Sequence, residues 1–466
     1  MEQKTAKELA KELLYKPVHA ADADPDCIQK AQEFCEGYKE FLDHAKTERE
    51  AVQAAEKRLL QAGYKKFERG MKLNPGDKIY YINREKCLLA STIGTKPLEE
   101  GLHINAAHID APRLDLKAMP LYEKDGLALF KTHYYGGIRK YQWVATPLAL
   151  HGVIYKKDGE RVEFVLGENA GEPVFCITDL LPHLSADQNK RTLADGIRGE
   201  ELNVVVGSLP FMDQDASDRI KLYTMQLLNE KYGITEKDFI RAEIEVVPAA
   251  KACDIGFDRG LVGGYGQDYR SCAYTALMAE IECKDPAFTT LCVLTDKEEI
   301  GSVGYTGLSS DFMLNYIRKL AIAMGGDIVE ILEQSRCLSA DVSAAFDPTF
   351  PDAYDPRNSA YINKGVTLAK YTGSRGKVGT NDANAEMMEY AMRLLDNAGV
   401  VWQTGELGKV DQGGGGTVAL MVASLGIDTV DIGVPVLAMH SPFEITAKAD
   451  VYNTYRAFAA FANSKE

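Results

Sequence analysis

A chain of 466 residues with 45% hydrophobic and 26% charged residues has an ordinary globular composition and is too long for one common core, so two domains are expected. Its net charge of −15 argues against a nucleic-acid backbone or an anionic membrane surface as partner, since both need a basic face. No apolar run approaches the ~18 residues of a membrane span, and nine cysteines without a CxxC point to reduced thiols and a cytoplasmic setting.

In chain order, MEQKTAKELAKELLY reads as an amphipathic helix containing acids, not as a signal peptide. Helical spacing continues to about residue 64, and the strand-like segments KIYYINR, CLLAST and HINAAH follow. From about residue 118 to 241 the texture is strand-rich, with the hairpin signals KDG (124–126) and KKDGE (156–160) and one polar stretch at 185–201. At AEIEVVPAA (242–250) the apolar strand pattern returns and then alternates with helical segments such as SCAYTALMAEI and NAEMMEYAMRLLDNAG. That alternation predicts an α/β fold, with helices on the faces of a sheet. The expected organisation is a discontinuous α/β domain (1–117 and 242–466) interrupted by an inserted β-rich domain (118–241).

Residues able to bind a metal or move a proton gather near the ends of the apolar runs. HINAAHIDAP carries His108 and Asp110, which share a face of an extended chain, so the carboxylate can orient the imidazole. GYGQDYRSC puts Asp268 in a glycine-rich turn before a helix. FTTLCVLT reads as a buried strand, and the TDKEEIGSVG that overlaps its end carries the adjacent Glu298 and Glu299. Asp341 follows the short run of CLSADVSAAFDP, and His440 closes the run in VPVLAMHSPFE. Each segment alone has an ordinary reading as a helix cap, a loop acid or a structural histidine. Together His108, Asp268, Glu299, Asp341 and His440 offer two nitrogens and three carboxylates, the donor types of a paired zinc site. Glu298 is then left to take a proton from a water between the ions.

These motifs resemble the zinc metallopeptidase family of aspartyl aminopeptidase and vacuolar aminopeptidase I, bacterial members above all. The likeness runs from AAHIDAPRLDLK through Tyr135, Gly136 and Gly137, the aspartate of GQDYRSC, DKEEIGS and SADV to MHSPFE. It implies a central mixed sheet of zinc-exopeptidase type and two Zn²⁺ per subunit, with Co²⁺ or Mn²⁺ as substitutes. Asp268 would bridge, His108 and Asp341 would hold one ion, and Glu299 and His440 the other. Glu298 would be the general acid/base in release of N-terminal residues from peptides with a free amino terminus, and Asp110 would orient His108. It further implies a homo-oligomer, a dodecamer in the family, with the inserted domain at subunit contacts and chamber access.

Three stretches depart from the family pattern: SADVSAAFDP carries Ala344 and Asp347 where histidines are usual, YQWVATPLAL follows the glycine pair, and GGGGTVAL (413–420) replaces a CGSTIGP-like turn. GGGG also lacks the Lys-Ser/Thr of a phosphate-binding loop. The segment 363–381 carries Lys364, Lys370, Arg375 and Lys377, which would favour an acidic N-terminal side chain, whereas Asp347 opposes one. The expected preference is broad or neutral to apolar. Two alternatives are another amide hydrolase on the same scaffold, a carboxypeptidase or acyl-amino-acid deacylase, and a non-catalytic assembly protein.

Overall fold

The structure is a computed structural model that describes residues 4–373 and 375–466. Residues 1–3 of the expected N-terminal helix and Ser374 of the basic segment lie outside the described residues. The strand expected from FTTLCVLT runs Thr289–Thr295, and every residue in it is buried. It lies inside a nine-stranded mixed sheet, antiparallel to Cys87–Thr92 on one side and parallel to Leu102–His108 on the other. Beyond Leu102–His108 come Arg336–Ala340 and Asp428–Gly433, both parallel, then Val366–Ala369, antiparallel.

Side chains alternate across this sheet. Cys292 and Leu294 pack under the helices Gln267–Glu282 and Lys448–Ala462, while Leu291 and Val293 pack under Phe312–Met324. Burial on both faces is why these strands read as continuous apolar runs. The flanking helices start where the sequence offers caps. Thr47 and Glu50 form a capping box for Glu48–Gln61, and the Asn384 side chain accepts from Met387 N ahead of Ala385–Asn397. The N-terminal helix Ala6–Leu13 is also boxed, by Thr5 and Glu8, but buries none of its residues. No helix among the described residues is long and apolar enough to cross a membrane.

A second, seven-stranded antiparallel sheet has its own core around Leu114, Phe130, Trp143, Leu150, Phe164 and Val246. Its KDG hairpin joins Arg113–Lys124 to Leu127–Tyr135, with Asp125 at φ 47° and Gly126 at φ 87°, the left-handed pair of a type I′ turn. This sheet extends past 118–241 at both ends. Ala242–Pro248, read from its pattern as a return to the α/β part, pairs along Leu148–Tyr155 and joins the second sheet instead. Alternation identifies a strand without saying which sheet it enters. The strand-rich region also contains a helix, Arg219–Tyr232. A five-stranded sheet (Cys253–Ile255, Leu261–Gly264, Glu444–Ala447, Pro435–Leu437, Ser343–Ala344) completes the frame of the site.

Candidate metal centre

Three parallel neighbours in the large sheet end at one place. His108 closes Leu102–His108 and Asp110 follows it; Asp341 follows Arg336–Ala340; Glu298 and Glu299 open a single 3₁₀ turn, Glu298–Ile300, after Thr289–Thr295. Carboxyl ends of parallel strands are where open α/β sheets bind ligands. The five-stranded sheet brings the remaining two. Asp268 lies in the first turn of Gln267–Glu282, and His440 in the turn between Pro435–Leu437 and Glu444–Ala447. Lys297 at φ 70° and His440 at φ 64° are non-glycine residues in the left-handed region, held there by the contacts around them.

The seven residues singled out in the sequence therefore meet. His108, Glu298 and Asp341 form one group whose ligand atoms all lie within 4.8 Å of one another, and Asp268, Glu299 and His440 form a second. His108 Nε2 is 3.6 Å from Asp341 Oδ1, and its Nδ1 is 3.4 Å from Asp110 Oδ1. His440 Nε2 is 3.2 Å from Asp268 Oδ2 and 3.5 Å from Glu299 Oε1. Its Nδ1 lies 2.9 Å from the Gly137 carbonyl, which can only accept, so Nδ1 carries a proton and Nε2 faces the carboxylates. Asp110 also accepts from the backbone N–H of Glu298 (3.0 Å) and of Glu299 (3.2 Å), so one carboxylate touches His108 and pins the glutamate turn.

Among the described residues, the only cationic side chains within ion-pair distance of Asp268, Glu299 and Asp341 are the two histidines. Protons therefore compensate the crowded charges. Burial pushes the Glu298 carboxyl up to about 8 against the pull of His108, and burial with the Asp268 charge holds Glu299 well above the carboxylate range despite His440. For Asp268 burial acts upward, but His440 overcomes it and brings the carboxyl to about 2. Burial lowers His440, and Asp268 and Glu299 outweigh it, holding the imidazole at about 11. Glu299 Oε1 is buried without a hydrogen-bond partner. An orphaned carboxylate oxygen among imidazoles and further carboxylates fits divalent ions with nitrogen and oxygen preference.

Two residues that shape the site carried no role in the sequence reading. Glu444 accepts from His440 N (2.6 Å) through one oxygen and from Asp268 N (3.1 Å) through the other, tying together the backbones that carry two of these side chains; burial raises it to about 7. Tyr135 donates its hydroxyl to Asp110 Oδ2 at 2.8 Å. A glutamate four residues after His440 in MHSPFE was the one available signal for the first. The second stood in the YGG run (135–137) that carries the family resemblance, with no role attached to it.

The family model described as aminopeptidase I zinc metalloprotease (M18) matches residues 41–462. A probable M18 family aminopeptidase 1 of Clostridium acetobutylicum is 49% identical over 436 residues, covering 92% of this chain and 94% of that protein. The crystal structure of an M18 family aminopeptidase from Thermotoga maritima superposes with a TM-score of 0.93 at 41% identity, covering 96% of this chain and 99% of that one. More distantly, the mApe1 dodecamer of S. cerevisiae shares the fold, with a TM-score of 0.74 at 21% identity over 92% of this chain and 95% of that one. Of the three readings left open by the sequence, these relatives select the first. The chain belongs to the M18 aminopeptidase I family of zinc metalloproteases and is a metalloaminopeptidase.

Proposed function

We propose that this aminopeptidase works with two metal ions, His108 and Asp341 holding one, Glu299 and His440 the other, and Asp268 between them. The observation that carries this reading is the division of the adjacent glutamates, Glu298 falling in the group with His108 and Asp341, and Glu299 in the group with Asp268 and His440. When bound, zinc supplies Lewis acidity that lowers the pKa of water and polarises a peptide carbonyl; Co²⁺ or Mn²⁺ would suit the same donors.

Glu298 takes the proton of the attacking water and returns it to the leaving amine. Its carboxylate stands beside His108 and Asp341, within reach of a water held there, as both transfers require. Asp110 keeps His108 oriented and the Glu298 backbone in place. The surplus of carboxylates suits the ammonium of a free N-terminus, so the substrates are peptides with unblocked amino ends. Metal analysis of purified, active protein should give two divalent ions per chain, fewer after His108→Ala or His440→Ala. One ion or none in active enzyme overturns the reading.

The N-terminal preference is broad or neutral to apolar. Of the cations in 363–381, Lys377 is already paired with Asp382 at 2.9 Å and lies 3.9 Å over the Tyr371 ring, so it is not a free partner for an acidic substrate. A kcat/KM for Asp-peptides ten times that for Leu-peptides would show the opposite preference. The enzyme is further read as a cytoplasmic homo-oligomer, with residues 118–241 at its contacts and no nucleic-acid or membrane partner.

A further inference from the structure

We infer that Tyr135, Gly136 and Gly137, contributed by the seven-stranded sheet, form a positioning bracket for both halves of the metal centre; this rests on the two-metal reading above. Tyr135 ends the strand Leu127–Tyr135, and its hydroxyl bonds Asp110 Oδ2 at 2.8 Å. Asp110 has two oxygens for four neighbours: the Tyr135 hydroxyl, the N–H groups of Glu298 and Glu299, and His108 Nδ1. The hydroxyl joins the two backbone N–H groups in fixing the carboxylate plane that stands beside His108 Nδ1. The ring is itself fixed, with the Arg113 guanidinium 3.9 Å over its face. Arg113 is in turn held by Asp115 at 2.8 Å and Glu245 at 3.2 Å, with Glu48 at 3.6 Å.

Two residues further on, the Gly137 carbonyl takes His440 Nδ1. Gly136 between them has φ +72°, and a Cβ there would stand 3.0 Å from Glu299 Oε2 and 3.3 Å from Glu299 Cβ. The last residue of one strand and the two glycines that follow it thus reach a histidine of one group, through Asp110, and both a histidine and a glutamate of the other. Partners of this kind orient metal-binding side chains, and their loss typically costs about 10–100-fold in metal affinity or activity. The second sheet is on this view part of the catalytic apparatus, in addition to any role in assembly.

Tyr135→Phe removes only the hydroxyl and tests the inference. Chelator competition should show one of the two ions weakened about 10–100-fold, kcat reduced with KM little changed, and the ion-free variant melting as its parent does. Gly136→Ala should weaken the other ion by pressing on Glu299. Ion affinities and kcat of Tyr135→Phe equal to the parent's would overturn the inference and leave the two-metal reading standing. A parent that binds no divalent ion would sink that reading instead. The inference would then be judged on the crystal structure of Tyr135→Phe, where an Asp110 carboxylate unmoved from Glu298 N and Glu299 N rejects it and a rotated one supports it.

Discussion

Glu298 and Glu299 differ in what they face because they open a 3₁₀ turn rather than continuing the strand, and Lys297, at φ 70°, makes the change of direction. The turn splits the pair between two groups, so their roles should split as well. Glu298→Gln keeps size and hydrogen bonding but cannot accept a proton. We expect it to retain both ions and lose about 10²–10⁴-fold in kcat, the usual weight of a general base. A variant that loses an ion as well would make Glu298 a third ligand beside His108 and Asp341, which its place in their group also allows. A near-normal rate would move the base elsewhere. Most side chains of this site stood out in the sequence because they lie at or just past an apolar run, where a strand ends and a buried acid or histidine demands a partner, and Asp268 because it opens a helix after a glycine-rich turn. The roles of Tyr135 and Glu444 were not legible there. Their work is done on Asp110, 25 residues away, and on backbone N–H groups up to 177 residues away, contacts that no local pattern encodes.

At the scale of elements, the strand Leu102–His108 carries the site at one end and a second histidine near the other. His103 is buried between the rings of Phe288 and Phe461, at centroid distances of 4.3 and 4.5 Å, with its Nδ1 2.9 Å from the Phe461 carbonyl. Burial brings the imidazole down to about 4, against the pull of that carbonyl. A folded-state pKa below the unfolded value near 6.5 means the unfolded chain binds the extra proton between the two. The His103 contribution is thus fully present above pH ~6.5 and is lost as pH falls toward ~4, amounting to about 3 kcal/mol. His103→Gln should therefore flatten the stability-against-pH curve over that window relative to the parent, read by denaturant titrations at several pH values. Parallel curves for the two proteins would count against a neutral, buried imidazole. Element type was largely readable here, since Thr289–Thr295 and Leu102–His108 have strand composition and length. Sheet membership was not, and Ala242–Pro248 shows why: its partner Leu148–Tyr155 lies about a hundred residues earlier, and both sheets accept the same apolar alternation.

For the whole molecule the open matter is association. Large apolar side chains are exposed at Val174, Leu180, Leu181, Leu184, Leu193, Leu209 and Met212, all in one stretch of the region between Leu148–Tyr155 and the helix Arg219–Tyr232. Single exposed leucines are common, but this many in one region of an acidic chain leave apolar surface that association would cover. Burying each such side chain contributes about 1.5–3 kcal/mol, enough for a few of them to decide an assembly. Most soluble oligomers close by point-group symmetry, so a closed homo-oligomer is the arrangement to test. Light scattering on the purified protein should give a mass several times that of one 51.3 kDa chain. Leu184→Glu together with Leu209→Glu should lower that mass by placing charge in the contact, while leaving the metal content per chain unchanged. A parent protein that is monomeric and fully active would remove assembly from the account of this enzyme. A double variant with unchanged mass would move the contacts away from this stretch.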